Sequence, residues 1–247
     1  MPHKAFSDLE SAEELISYLN KPLMHMRYSV FHYTSLESLL KIFRGKKLKF
    51  SHFDTTNDKI EADFVTEETK KKRFFCLMRS MEENFGMWAM YGGLTKSPDT
   101  TSLKDICVKI EFNVTELKAF IKEKNLKATA VAYTQMVTKK TKLNNIYFCG
   151  SCTNKKGISL YENREQLSGY IKDNAWKYEH EMRLWSENEF VDLSDAFLAS
   201  LKIIPSPVSS VDECKNLIKE SEYKDLLDVI TPLFVENKYE GTYLTKK

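Results

Sequence analysis

Glu179, Glu181 and Arg183 stand at alternate positions in the run Trp176-Lys177-Tyr178-Glu179-His180-Glu181-Met182-Arg183-Leu184-Trp185, which mixes acids, bases and aromatic rings. The pattern of Lys177 to Trp185 predicts a strand. Period-2 alternation then places Tyr178, His180, Met182 and Leu184 on one face and Glu179, Glu181, Arg183 and Trp185 on the other. Two carboxylates at i and i+2 lie ~7 Å apart, and like charges that close resist joint ionisation unless a cation lies between them. Arg183 is the cation available. An exposed strand face carrying Glu and Arg also fits a solubilising ladder. The company of Trp176, Tyr178 and Trp185 favours a packed cleft over open surface.

Three other groups compete for a chemical role. His32 ends an apolar strand directly before Tyr33, Thr34 and Ser35, a setting in which histidine is more often a hydrogen-bonded core residue than a ligand. Trp88 and Tyr91, three apart on a helical segment, either fill the core or form a stacking wall. Cys149 and Cys152 make a lone Cys-x-x-Cys with no second pair or histidine partner, a weak zinc signal, and the pair does not open a helix in the thioredoxin manner. No glycine-rich phosphate loop follows a strand, which disfavours a doubly wound dinucleotide fold.

The elements that must position these residues are legible from periodicity and punctuation. Apolar residues at 9, 12, 15, 16 and 19 predict an N-terminal amphipathic helix over 8–20, capped by Ser7 or Asp8 and stopped by Pro22. A strand over 28–33 leads to a helix over 36–43, with Thr34 or Ser35 as cap and Gly45 as its C′ residue. Further strands are expected over 47–53, 73–78, 107–112, 128–137, 145–148, 177–185 and 201–204. Helices are expected over 61–72, 82–91, 114–123, 159–171, 194–201 and 211–220, and the C-terminal extension over 206–247 ends with a strand at Val229 to Val235 and Tyr243. Asp54 to Asp58 reads as a loop, Gly92, Gly93 and Pro98 as a break, and Lys139 to Asn144 as a connection. Helices and strands mix without regular βαβ punctuation, so the class is α+β, with mixed and antiparallel central sheets flanked by helices.

Composition bounds the rest. The chain has 247 residues, 42% hydrophobic and 12% aromatic, enough for one sizeable core, and residues 1–247 read as a single domain. Lys and Arg exceed Asp and Glu by 37 to 35, which excludes a strongly basic, dedicated nucleic-acid binder. The basic runs Lys70 to Arg73 and Lys139 to Lys142 read as solvated helix ends or loops. No apolar run approaches the ~18 residues of a membrane span, and the start Met-Pro-His-Lys lacks the apolar stretch of a signal peptide, so a cytosolic protein with no membrane partner is expected. Five cysteines, an odd number, favour reduced thiols.

Phe31-His32-Tyr33-Thr34-Ser35 with its short helix, Leu48 to Ser51, Asn57-Asp58 with Glu61, Phe75-Cys76, Met87-Trp88-Ala89 with Tyr91, Val108 to Phe112, Val131-Ala132-Tyr133 and Trp176 to Leu184 together resemble the bacterial family called domain of unknown function 2971. The likeness spans about residues 28–205. The chain departs from the family where Lys59 replaces the usual proline after Asn-Asp, and where a glycine is usual near Ser206. The family layout is similar to the ADP-ribosyltransferase fold. That resemblance implies that His32, with Tyr33 and Thr34 beside it, binds the ribose of NAD and that Trp88 or Tyr91 stacks near the nicotinamide. It further implies that Arg183 joins the NAD-binding set and that Glu181 is the catalytic acid.

Breaking the nicotinamide–ribose bond builds positive charge on the sugar, which a positioned carboxylate stabilises. Glu179 would then orient or deprotonate the nucleophile, a general-base task for which a like-charged neighbour raises its pKa, and the pair resembles the Glu-x-Glu of several transferases of this fold. The leading expectation is an NAD-consuming enzyme, a toxin or defence effector acting on a protein or nucleic-acid acceptor. A non-catalytic nucleotide- or peptide-binding module is the alternative. Nucleic-acid processing through Lys139 to Lys142 is a third.

Overall fold

The computed structural model describes residues 5–23, 29–55, 58–80, 82–94, 102–136, 146–148, 152–154 and 157–239. Tyr28, Asn57, Pro98, the run 139–144, Cys149 and Tyr243 lie outside the described residues. Numbered along the chain, the strands are β1 (Ser29–Ser35), β2 (Lys47–Lys49), β3 (Arg73–Ser80), β4 (Cys107–Phe112), β5 (Lys127–Ala130), β6 (Ala132–Thr134), β7 (Ile146–Phe148), β8 (Cys152–Asn154), β9 (Ile171–Asp173), β10 (Glu181–Ser186), β11 (Phe190–Asp192) and β12 (Lys202–Pro205). The helices are α1 (Ala12–Leu19), α2 (Leu36–Gly45), α3 (Lys59–Phe64), α4 (Glu67–Lys70), α5 (Phe85–Met90), α6 (Val114–Glu123), α7 (Arg164–Leu167), α8 (Asp195–Ala199), α9 (Val211–Lys219) and α10 (Leu227–Ile230), so the fold is α+β.

The chain divides into two compact units, each drawn from three separated stretches. The first takes Met1–Met26, Phe50–Arg79 and Ile121–Glu189; the second takes Arg27–Lys49, Ser80–Phe120 and Phe190–Lys247.

In the first unit, β10 lies between β3 and β5 and pairs antiparallel with both. A second sheet runs β8-β7-β6-β9, antiparallel except where β6 meets β9. Val131, between β5 and β6, marks where one continuous apolar run changes sheets: Ala130 pairs with Met182 and Ala132 with Ile171. The strand expected over 128–137 is therefore two strands, and alternation alone does not reveal the break. α1 packs Leu15 and Leu19 with Leu160, Leu167 and Ile171, so the apolar spacing of the N-terminal helix reports its buried face correctly.

In the second unit, β4 lies between β12 and β1, antiparallel to each, and β2 pairs with β11. α2 buries Leu36, Leu39, Leu40 and Phe43, one helical stripe, and Ser35 caps it by accepting from the Ser38 amide at 3.1 Å.

Several expected boundaries move, each for a local reason. The N-terminal helix starts at Ala12, because Ser11 and not Ser7 or Asp8 accepts from the Glu14 amide, and Phe6–Asp8 form a separate 3-10 turn. Gly45 stays helical while Lys46 takes the left-handed conformation at φ 47°. The strand expected over 47–53 stops at Lys49, and Phe53–Thr55 form a 3-10 turn. The charged helix over 61–72 splits where Thr66 starts a new cap. Asn84 caps the helix expected over 82–91, which runs over Phe85–Met90. Only Arg164–Leu167 of the helix expected over 159–171 forms, since Ile171 is recruited to β9. The C-terminal strand expected at Val229 to Val235 is helical through Ile230 and then a 3-10 turn; only Phe234 bridges to Ile203. Lys59 sits at the first position of α3, where proline is favoured but no amide partner is required, so Asp58 still caps the helix.

Gly169 has φ +79°, and a Cβ added there would fall 2.6 Å from Cη2 of Trp185. Trp185 cannot yield easily, because its indole nitrogen donates to Thr129 at 2.7 Å. Gly169→Ala is expected to destabilise the chain by about 2 kcal/mol or more, read as a lower denaturant midpoint with unchanged slope.

Candidate functional site

β10 has strands on both sides, and its alternation decides what its side chains meet. Met182 and Leu184 are fully buried on one face, while Glu181 and Arg183 occupy the other at 3% and 1% exposure. The strand starts at Glu181. Residues Asn174–Glu179 form a 3-10 turn, and His180 reverses the chain with φ 43°. The two-faced strand expected from Lys177 onward is thus wrong for its first half, and Glu179 approaches the cluster from a turn. A short left-handed step at a non-glycine residue leaves no mark in hydrophobic periodicity.

Arg183 organises the cluster. Its Nε donates to Glu181 Oε1 at 2.7 Å and its Nη2 to Glu181 Oε2 at 3.1 Å, a bidentate pair. Nη1 donates to Glu61 Oε1 at 2.6 Å and to the Gly169 carbonyl at 3.0 Å. The guanidinium carbon lies 5.3 and 4.9 Å from the ring centres of Phe53 and Phe74. Lys172, on β9, extends the chain of charges by donating to Glu179 Oε2 at 2.6 Å and to Glu181 Oε2 at 3.4 Å. The Cys76 thiol, paired with Arg183 across β3, donates to Glu181 Oε1 at 2.9 Å. The Glu181 amide donates to the Tyr133 hydroxyl at 2.7 Å.

Three carboxylates here face two permanent cations, so the five charges do not cancel. Burial pushes Glu61 up against the pull of Arg183, and its Oε2 is a buried oxygen without a hydrogen-bond partner. Burial and then the Glu181 charge raise Glu179 to about 7, with Lys172 opposing. For Glu181, burial works against the charged form but Arg183 and Lys172 outweigh it, holding the carboxyl well below the usual range. Lys172 is disfavoured by burial yet held charged by Glu181, Glu179 and Glu61. Burial, followed by the Glu181 charge, raises both the Cys76 thiol and the Tyr133 phenol, so neither is an activated nucleophile. Glu179, pushed up to about 7, has a side chain at 17% exposure, the most open of the five.

The residues singled out in the sequence divide between the units. Glu179, Glu181 and Arg183 meet in the first; His32, Tyr33, Thr34, Trp88 and Tyr91 belong to the second. His32 is half-buried on β1 opposite Ile110. Trp88 is fully buried and fills the core, whereas Tyr91 is 48% exposed and stacks on Tyr33 at 6.2 Å. The Trp88 indole donates to Glu83 at 2.9 Å, and Glu83 also accepts from Lys109 at 2.7 Å and from the Tyr33 hydroxyl at 3.4 Å. That second buried ion pair escaped sequence reading, as did the participation of Glu61, Cys76, Tyr133 and Lys172 in the first. Glu61, Cys76 and Tyr133 lie in motifs that carried the family resemblance; Lys172 lies in none. Among the described residues, no group of three or more His, Cys, Asp or Glu is placed to hold a metal ion, and no helix is long and apolar enough to cross a membrane.

Removing Arg183 alone would leave Glu61 and Glu181 buried without their cation. Arg183→Met is expected to cost about 3–5 kcal/mol, while the combined Glu61→Leu, Arg183→Met, Glu181→Leu variant should recover much of that loss; a triple variant less stable than the single one would contradict the pairing. The pH response has two arms of opposite sign. Glu181 titrates below its ordinary 4.5, so its contribution is present above that value and is lost as pH falls through the folded pKa. Glu179 titrates above 4.5, so the folded chain holds a proton that the unfolded chain has released, and stability falls as pH rises from 4.5 through about 7. Thermal melts should show Glu179→Gln gaining on the parent across that window.

Residues 87–184 match the model of a family described as protein of unknown function (DUF2971). The matched stretch includes Trp88, Tyr91, Tyr133, Lys172, Glu179, Glu181 and Arg183. No curated protein and no solved structure matches the chain. Over residues 87–184, and so over less than half of its length, the chain is similar to the DUF2971 family.

Proposed function

We propose that the chain is an NAD-consuming enzyme of ADP-ribosyltransferase type, with Glu179 as the carboxylate that meets the reacting groups. The observation that carries this reading is Glu179 itself: a carboxyl with a pKa of about 7, bound to Lys172 at 2.6 Å, at the open end of an otherwise buried charge cluster. General bases work best when their pKa lies near the operating pH, and burial beside a like charge tunes Glu179 to that range.

In the reaction the C–N bond between nicotinamide and ribose breaks, and nicotinamide leaves with the bonding pair. The nucleophile, water or a group on a macromolecular acceptor, adds to the sugar cation, and its proton passes to Glu179. Glu181 is a positioning residue on this reading: its carboxylate is held by Arg183, Cys76 and Lys172, and supplies a fixed negative charge that keeps the Glu179 pKa high. An acid so tightly engaged is not free to contact substrate, which reverses the order of the two glutamates that the family resemblance implies. A toxin or defence effector working in the cytosol is the setting this chemistry suits.

One observation favours a second reading. Glu61 and Glu181 are both buried and both bonded to the buried Arg183, as expected of a purely structural centre in a non-catalytic binding module.

Nicotinamide release from NAD separates the two. The parent protein should turn NAD over with a rate that rises with pH through an apparent pKa near 7, and Glu179→Gln should lose about 100-fold or more with its melting transition intact. No turnover by the parent, or equal turnover by both proteins, would falsify the catalytic reading. His32→Ala, measured in the same assay, tests the NAD contact that the family resemblance implies for His32: a raised KM is expected, and unchanged kinetics would end that role for His32.

A further inference from the structure

Asp58 and Glu61 have the D-x-x-E spacing of a reciprocal helix cap, and only half of that cap forms. Asp58 accepts from the Glu61 amide at 3.1 Å, but the Glu61 side chain turns inward to Arg183 instead of completing the exchange. The residue is fully buried. Its Oε1 accepts from Arg183 Nη1 at 2.6 Å, while its Oε2 has no hydrogen-bond partner among the described residues. A bare anionic oxygen closed off from water is costlier than a bare hydroxyl, because a charge as well as a hydrogen bond goes unanswered.

The donors of the cluster are distributed unevenly. Glu181 accepts from Nε and Nη2 of Arg183, from the Lys172 ammonium and from the Cys76 thiol, so both its oxygens are held as those of an anion. Glu179 accepts from Lys172 and reaches solvent. Glu61 receives a single donor, from a guanidinium nitrogen that also serves the Gly169 carbonyl. The charges acting on it from the strands are Arg183 and Glu181 of β10 and Lys172 of β9, and burial outweighs the attraction of Arg183. Arg164 of α7 directs its donors to the Asp63 and Phe64 carbonyls at the far end of α3, and Asp58 at the near end is the helix cap.

We infer that Glu61 is a neutral carboxylic acid in the folded protein in neutral solution, with its proton on Oε2 and its carbonyl oxygen on Arg183, and that this proton balances the cluster. Glu179 and Glu181 then face Lys172 and Arg183, two charges against two. An ionised Glu61 would add a third negative charge and oppose the ionisation of Glu179, which makes Glu61 a positioning residue for that carboxylate. The inference concerns the charge of the cluster and does not rest on the NAD-consuming reading.

Two measurements on the full chain test it. In the parent protein, carbon-detected NMR of the Glu61 side-chain carboxyl in neutral solution should find it at the position of a protonated acid, with Glu181 at that of a carboxylate. In Glu61→Gln, a permanently neutral side chain of the same shape, the Glu179 midpoint should stay within about half a pH unit of the parent value, because no charge has been removed. An ionised Glu61 in neutral solution, or a Glu179 midpoint that moves by more than that in the variant, overturns the inference. Where Glu61→Gln does not fold, the parent spectrum decides alone. Neither measurement reads NAD turnover, so failure of the enzymatic reading and failure of this inference are told apart.

Discussion

The guanidinium of Arg183, closed off from water between Phe53 and Phe74, sets the terms for the first unit. A buried cation is costly unless its donors are satisfied and its charge is met, and here Glu181, Glu61 and the Gly169 carbonyl do both. Each partner comes from a different segment: β10, α3, and the turn before β9. The turn must bring its carbonyl close, which Gly169 permits by adopting a positive φ directly against Trp185. The aromatic contacts, the capped helix and the left-handed turn are thus consequences of accommodating one charge.

That constraint also explains how reactivity is distributed. Glu181 spends its hydrogen-bonding capacity on Arg183, Cys76 and Lys172 and remains ionised, so it acts on its surroundings as a fixed field. Glu179 has one bond to Lys172 and, by burial and the repulsion of Glu181, is pushed up to about 7. Two glutamates separated by one residue acquire different roles because one lies on a strand and the other on the turn before it. Low local dielectric amplifies the contrast.

The sequence made the cluster partly legible. Alternation in β10 put Glu181 and Arg183 on one face, and their pairing follows from that alone. Lys172 was invisible because its strand is three residues long and begins at Ile171, the last residue of a stretch whose spacing imitates a helix. Glu179 was assigned the right neighbours on the wrong element, since the φ 43° step at His180 is a backbone event without a compositional signal. Trp88 and Tyr91 showed the complementary ambiguity. Their spacing was compatible with core or stacking wall, and tertiary packing buried the first while leaving the second half-exposed. The cap of α2 was one of the two residues read for it, Thr34 or Ser35, whereas the cap of α1 is Ser11, which lies past both residues read for it, Ser7 and Asp8.

The account depends above all on the protonation of Glu179, which carbon-detected NMR of side-chain carboxyl groups measures directly. A midpoint near 7 is predicted for Glu179, moving towards the ordinary carboxylate range when Glu181→Gln removes the neighbouring charge, with Glu181 itself unprotonated throughout neutral and mildly acidic solution. A Glu179 midpoint of 4 to 5 in the parent protein would contradict the account.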